Sequence, residues 1–305
     1  MNYFSTPSLL HACPDFSKKF FCIIQKKCVS LQAMNKVKNI IGICAICLVL
    51  VSCSGYNKLL NSNDYEGKYQ AAMRYYNNNS WSKAIQLFEN LTLHYRGKEH
   101  AEEIAWYYAQ CLYKEKDYFT AAYQFQRFAR QFPYSERTEE AAYLSAYCKY
   151  KDSPEYSLDQ KRTKEAIEEM ESFAERWPRS VHIPELNMYL DEMRAKLMKK
   201  EYEIAYGYYF IEEYHAAYES FKRYLNLYPE SEQREDAMYY QLDAGYRYAI
   251  GSREDKQKER LQQVLNDFEK FSSSFADSKH LTAAQTIYTK TRAALTDLTE
   301  TKKEN

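Results

Sequence analysis

Tyr118-Phe119-Thr120-Ala121-Ala122-Tyr123-Gln124-Phe125-Gln126-Arg127-Phe128 runs on to Gln131-Phe132-Pro133. Further along, Tyr214-His215-Ala216-Ala217-Tyr218-Glu219-Ser220-Phe221-Lys222-Arg223-Tyr224 runs on to Leu227-Tyr228-Pro229, and the two stretches align without a gap. Three weaker copies share the pattern: Trp81, Ala84, Phe88, Leu91 and Tyr95; Ala166, Met170, Phe173 and Trp177-Pro178; and Val264, Phe268, Phe271 and Phe275. The anchors Ala84, Ala121, Ala166, Ala217 and Val264 are spaced 37, 45, 51 and 47 residues apart. A small residue, a large apolar one four later and another three after that form one face of an α-helix. The small residue admits a neighbouring helix, and the proline ends the segment.

Another apolar-periodic segment precedes each such helix, as in Ala105, Tyr108, Ala109 and Leu112, or Ile204, Ala205 and Tyr208. Helix–turn–helix units of this kind resemble tetratricopeptide (TPR) repeats. The expected fold is all-α: a right-handed α-solenoid of about five helix pairs over residues 65–298, whose stacking supplies the core that no single pair can build. The stretch Lys151–Gln160 reads as an inserted loop, Pro184 to about Tyr209 as one long helix, and Ile250–Gln257 as a polar loop. Residues 53–64 read as the lipidated cysteine and a polar tether, and 299–305 as a frayed tail.

In the TPR frame the first helix of each pair lines a groove. Trp106, Gln110 and Tyr113 fall on that side in the second copy, Tyr69, Met73 and Tyr76 in the first, and Tyr143, Tyr147 and Tyr150 in the third. Such a surface suits an extended or helical peptide with aromatic residues. The same positions also suit half-buried packing against the flanking helices.

Composition agrees with a helical binding protein. Gly and Pro number only seven each, too few for an all-β protein or a phosphate-binding loop fold, while Tyr reaches 31. The 42 basic and 42 acidic side chains give no basic excess, which argues against a nucleic-acid partner.

The N-terminal region reads as a targeting signal. Lys36 and Lys38 follow Met34 and precede about a dozen apolar residues ending at Leu50-Val51-Ser52-Cys53, too short a run for a comfortable membrane span. Residues 1–33 read as an upstream mis-start and 34–52 as a signal peptide. Leu50–Cys53 resembles a bacterial lipobox, which implies cleavage before Cys53, acylation of that cysteine and anchorage of the chain to a membrane. Residues 1–52 carry six Lys and one Asp, so the processed chain keeps 36 basic and 41 acidic side chains, a mild net acidity that further weakens nucleic-acid or anionic-lipid readings. Cys44-x-x-Cys47 lies inside the apolar signal core and does not read as a redox motif. Of the later cysteines, Cys111 and Cys148 read more simply as two buried thiols than as a disulfide.

Enzyme signatures are missing from the sequence. The six histidines, His11, His94, His100, His182, His215 and His280, have no zinc-site spacing, and there is no G-x-S-x-G elbow, Walker loop or dinucleotide turn. Glu168-Glu169, Glu212-Glu213 and Arg253–Lys256 read as solvated surface. The expectation is no catalytic residue, no metal and no cofactor.

A lipobox followed by five irregular TPR units, with an insertion in the third and a long helix into the fourth, resembles the BamD family of the outer-membrane β-barrel assembly (BAM) machinery. The closest stretch is Lys200-Glu201-Tyr202-Glu203-Ile204-Ala205-Tyr206-Gly207-Tyr208-Tyr209, leading through Ala217 to Leu227-Tyr228-Pro229-Glu230-Ser231. The resemblance covers roughly residues 53–295. It implies a non-enzymatic scaffold on the periplasmic face of the outer membrane. Its C-terminal repeats would dock on the POTRA region of a BamA-like barrel subunit. Its N-terminal repeats would receive the aromatic-ended targeting strand of unfolded outer-membrane proteins, and Tyr69, Met73, Tyr76, Trp106 and Tyr113 fall in those repeats. The alternatives are another periplasmic TPR adaptor lipoprotein serving cell-envelope or cell-division coordination, a SusD-type glycan-uptake lipoprotein, for whose long insertions the chain has no room, and a lipid-anchored hydrolase.

Overall fold

The computed structural model describes residues 55–304, with side chains to residue 300, so Cys53, the signal segment 34–52 and residues 1–33 lie outside the described residues. Every regular element among the described residues is an α-helix. A short helical turn at 55–60 is followed by α1 (Tyr65–Asn77), α2 (Trp81–His94), α3 (Ala101–Lys114), α4 (Tyr118–Gln131), α5 (Thr138–Lys151) and α6 (Lys161–Arg176). Then come α7 (Ile183–Phe210), α8 (Tyr214–Leu227), α9 (Arg234–Ile250), α10 (Glu254–Ser274) and α11 (Leu281–Glu304). These make five helix pairs and a final unpaired helix.

The described residues divide into two compact units, 55–104 and 105–304. In the first, α1 packs on α2. In the second, each helix from α4 onward packs on the next, and first helices also touch one another: α5 with α7, α7 with α9, and α9 with α11. The repeated triplet explains this order. Ala84, Phe88 and Leu91 in α2, Ala121, Phe125 and Phe128 in α4, Ala166, Met170 and Phe173 in α6, Ala217, Phe221 and Tyr224 in α8, and Val264, Phe268 and Phe271 in α10 are all buried. Removing each large apolar side chain from water contributes about 1.5–3 kcal/mol, and the small residue keeps the partner helix close enough to share that core.

The turns within pairs are compact despite the shortage of glycine. Asn79, Lys116 and Glu212 adopt left-handed backbone angles, φ 55°, 65° and 63°. The following amides reach back into the preceding helix: Ser80 N–H to the Tyr75 carbonyl at 2.9 Å, Asp117 to Leu112 at 3.0 Å, and Glu213 to Tyr208 at 3.0 Å. This is the Schellman closure, which usually takes glycine. Asp117 then caps α4 by accepting from the Thr120 amide at 3.1 Å.

Between pairs, an aromatic terminates the second helix. Phe132, Trp177, Tyr228 and Phe275 leave helical geometry, with φ between −123° and −135°. The first three precede a proline, which excludes helical geometry for them. Each ring rests on the aromatic one turn earlier, with centroids 5.1–5.9 Å apart.

Three boundaries differ from the expectations. The loop 250–257 shrinks to residues 251–253, because Glu254 and Asp255 lie in the first turn of α10, where carboxylates favour the helix dipole. The tether is partly helical at 55–60, and the tail is the end of α11, which runs to Glu304. The insertion at 152–160 and the long helix α7 lie where expected. Cys111 and Cys148 are buried, unbonded thiols. Burial pushes both up to about 12, with the nearby Glu115 adding to the effect at Cys111.

Candidate peptide-binding face

The first helices of the first three repeats each carry three side chains at the positions expected to face a groove. At Tyr69 and Tyr143 the leading position is structural. In the first unit Tyr69 is buried, 9% exposed, with its ring 5.0 Å from His100 and its hydroxyl donating to Glu103 at 2.6 Å. In the second unit the same arrangement recurs. The Arg137 guanidinium lies 5.5 Å over Trp106. His182 stacks on Tyr143 at 3.7 Å with planes 9° apart, and His280 on Tyr239 at 4.1 Å with planes 2° apart. The flat partner is always the residue just before the next first helix. Carboxylates within the first turn of those helices complete the set: Tyr143 donates to Glu185 at 2.7 Å, Glu140 lies 3.0 Å from His182 Nε2, and Asp236 lies 2.6 Å from His280 Nε2.

Tyr143 is thus 7% exposed and locked at both ends. Its phenol is raised by burial and by the bond to Glu185, while Glu185 is held low because it accepts from Tyr189 and Tyr143. Tyr69 and Tyr143 therefore lie in the packed interior of their helix pairs. The His or Arg partner stands 31, 31, 39 and 41 residues after its aromatic, so its signal in the sequence is its place just before a first helix and not a fixed spacing.

Trp106 and the remaining positions are more open. In the first unit Met73 and Tyr76 are half-buried, and Tyr76 meets Trp81 edge-on at 5.3 Å. In the second unit Trp106, Gln110, Tyr113 and Tyr147 are half-buried. Trp106 packs on Phe125 and Phe128 at 5.8 and 5.5 Å, which fixes its ring in one orientation. Tyr113 meets Tyr118, Phe125 and Tyr147 at 6.1–6.4 Å. Tyr150 stacks on Tyr189 at 4.3 Å and donates to Glu192; burial and that bond push its phenol up to about 12. Burial also raises the Tyr113 phenol, so Tyr113 and Tyr150 stay neutral donors at physiological pH. Rigid aromatic rings with neutral polar tips bind apolar and aromatic side chains at low entropic cost.

A second surface was not expected. Toward the end of α7, Ile204 and Tyr208 are exposed, and Phe210 and Ile211 reach 76% and 62% exposure. The aligned second-repeat residues Tyr108 and Leu112 are buried core.

Comparison with known proteins bears on what these faces serve. The sequence model of the YfiO family, described as an outer membrane lipoprotein, matches residues 62–208 and 198–299. The chain belongs to the YfiO family. Its repeats are thus those of an outer membrane lipoprotein. Among the described YfiO-family helices none is long and apolar enough to cross a membrane, and no cluster of three His, Cys, Asp or Glu among them could hold a metal ion. No curated protein matches the chain. A solved structure of kinesin light chain nearly identical TPR-like repeats from Podosopora anserina matches at 12% identity and a TM-score of 0.29, covering 70% of this chain and 96% of that one.

Proposed function

We propose that this YfiO-family protein is the BamD-type subunit of an outer-membrane β-barrel assembly machine. It would be a lipid-anchored scaffold on the periplasmic face that performs no chemistry. The observation that carries the reading is the family match across residues 62–299, essentially the whole helical array. The half-buried face of Trp106, Gln110, Tyr113 and Tyr147 supports reception of an aromatic-ended strand from unfolded outer-membrane proteins, because its rings are held by packing against Phe125 and Phe128 and against one another. Met73 and Tyr76 offer a smaller face of the same chemistry in the first unit. The exposed stripe of Ile204, Tyr208, Phe210 and Ile211 supports docking of a folded partner, the POTRA region of a BamA-like subunit, on the fourth repeat.

Depletion of the protein should lower the content of folded outer-membrane barrels, and affinity purification from detergent-solubilised envelope should retain a POTRA-bearing protein. If barrels fold normally and no such partner co-purifies, the proposal is wrong. Phe210→Ser/Ile211→Ser should release the folded partner while leaving the helical array intact by circular dichroism.

A further inference from the structure

The segment that follows the expected acylation site is held against the first helix pair. The Tyr56 hydroxyl lies 2.9 Å from the Lys83 carbonyl oxygen and 3.0 Å from Gln86 Oε1, and its ring meets Tyr75 edge-on at 5.6 Å. The Lys83 ammonium stands 5.8 and 5.5 Å from the centroids of those two rings. Three residues of chain lead from Cys53 to Tyr56, a reach of at most about 10 Å. An anchor at Cys53 would therefore hold this end of the α1–α2 hairpin against the lipid.

The composition of that end fits the setting. Residues 55–60 and 73–86 contain Lys58, Arg74 and Lys83 and no Asp or Glu, although the processed chain as a whole is acidic. Asp64, Glu66 and Glu89 lie outside these two segments, away from the α1–α2 turn. Tyr56, Tyr75 and Trp81 are half-buried here. Tyr and Trp with flanking Lys and Arg are the side chains that settle at a bilayer interface, the rings at headgroup depth and the cations toward anionic phosphates.

We infer that the α1–α2 turn end is a lipid-headgroup contact, held at the leaflet by the anchor and engaging anionic phospholipid through Lys58, Arg74 and Lys83. The inference rests on acylation of Cys53, which belongs to the proposed function. The contact would set how the first helix pair stands on the membrane, instead of leaving it on a free tether.

The test places a fluorophore on Asn78→Cys of the acylated chain in vesicles of phosphatidylethanolamine with about one quarter phosphatidylglycerol. Cys111 and Cys148 are buried and stay unlabelled. A headgroup-depth quencher lipid should quench this label at least about threefold more than in the Lys58→Glu/Lys83→Glu variant. Lys58→Glu/Arg74→Glu, two exposed positions, guards against misfolding at Lys83 and should show the same loss. Equal quenching in the wild type and both variants overturns the contact. Intact mass separately reports the anchor: an acylated chain with an unquenched label sinks the contact alone, and a chain without acyl mass sinks the anchor and the contact together.

Discussion

The second and fourth repeats share nearly one core, yet their open faces diverge. Trp106, Tyr113, Tyr118, Ala121, Phe125 and Phe128 stand in one where Tyr202, Tyr209, Tyr214, Ala217, Phe221 and Tyr224 stand in the other. The geometry repeats as well. Trp106 lies 5.8 and 5.5 Å from Phe125 and Phe128, and Tyr202 lies 5.9 and 5.5 Å from Phe221 and Tyr224. The divergence comes from the next first helix. Where α5 brings Tyr147 to Tyr113, α9 brings Asp243 to Tyr209, which donates to it at 2.5 Å, and Arg247 pairs with the same carboxylate at 2.6 Å. Burial and the Asp243 bond both raise the Tyr209 phenol, so it remains the donor. The second repeat thus presents aromatic rings with no carboxylate clamp, and the fourth is tied into a charged hydrogen-bond network. Similar aromatic patterns on first helices do not make similar surfaces. The residue supplied by the following helix decides.

The sharpest way to break the parallel is through the shared core. Phe125→Ala and Phe221→Ala should each cost about 3–5 kcal/mol, because both rings are fully buried. Urea unfolding that separated them by more than about 2 kcal/mol would show that the two repeats do not carry equal cores.

Next, the clamp should matter only where it exists. Asp243→Asn leaves Tyr209 and Arg247 without their carboxylate at a buried position and should cost about 3 kcal/mol. Tyr147→Phe should change stability by less than about 0.5 kcal/mol. Thermal unfolding of the two variants gives the contrast directly.

Alkali provides a third separation, since Cys111 has only Gly207 opposite it in the fourth repeat. A thiol that titrates at 9.0 when unfolded and about 12 when folded stabilises fully below 9.0. That contribution drains away as pH rises from 9.0 toward 12, because the unfolded chain ionises first. The loss amounts to about 2 kcal/mol by about pH 10.5. Cys111→Ala should flatten this decline, and an unchanged pH slope would mean the thiol is not shielded as its burial indicates.

For function, Trp106→Ala should weaken binding of an aromatic-ended outer-membrane-protein peptide by about tenfold, while Tyr202→Ala, with comparable lost packing, stays within about twofold. Fluorescence titration measures both, and equal losses would assign the effect to folding. The smallest effect concerns the turns. Lys116→Gly and Glu212→Gly relieve left-handed strain at equivalent sites and should each stabilise by about 0.5 kcal/mol. Destabilisation at one of them would expose a side-chain contact peculiar to that repeat.

Much of this architecture was readable in the chain. Ala121, Phe125 and Phe128 announced a buried helical face because spacing along a helix is a local property. Pro133, Pro178 and Pro229 announced its end. The leading groove position was less transparent. Tyr69 and Tyr143 share a register with Trp106, yet their depth depends on His100 and His182, which come from the start of another helix. The end of α7 shows the same limit. Ile204 and Tyr208 have core spacing, and only the packed structure leaves them exposed. Periodicity states which side chains share a face and is silent on whether a neighbour covers it.

The amino-acid order alone determined the helices, their pairing through small-residue anchors and the likeness to a lipoprotein family, since each of these follows from local geometry and short motifs. Tertiary structure decided which aromatics are interior and which are available, because that depends on side chains delivered from 31 or more residues away, as Arg137 is to Trp106 and His182 to Tyr143. Burial is a property of neighbours in space, and the linear sequence records only neighbours along the chain.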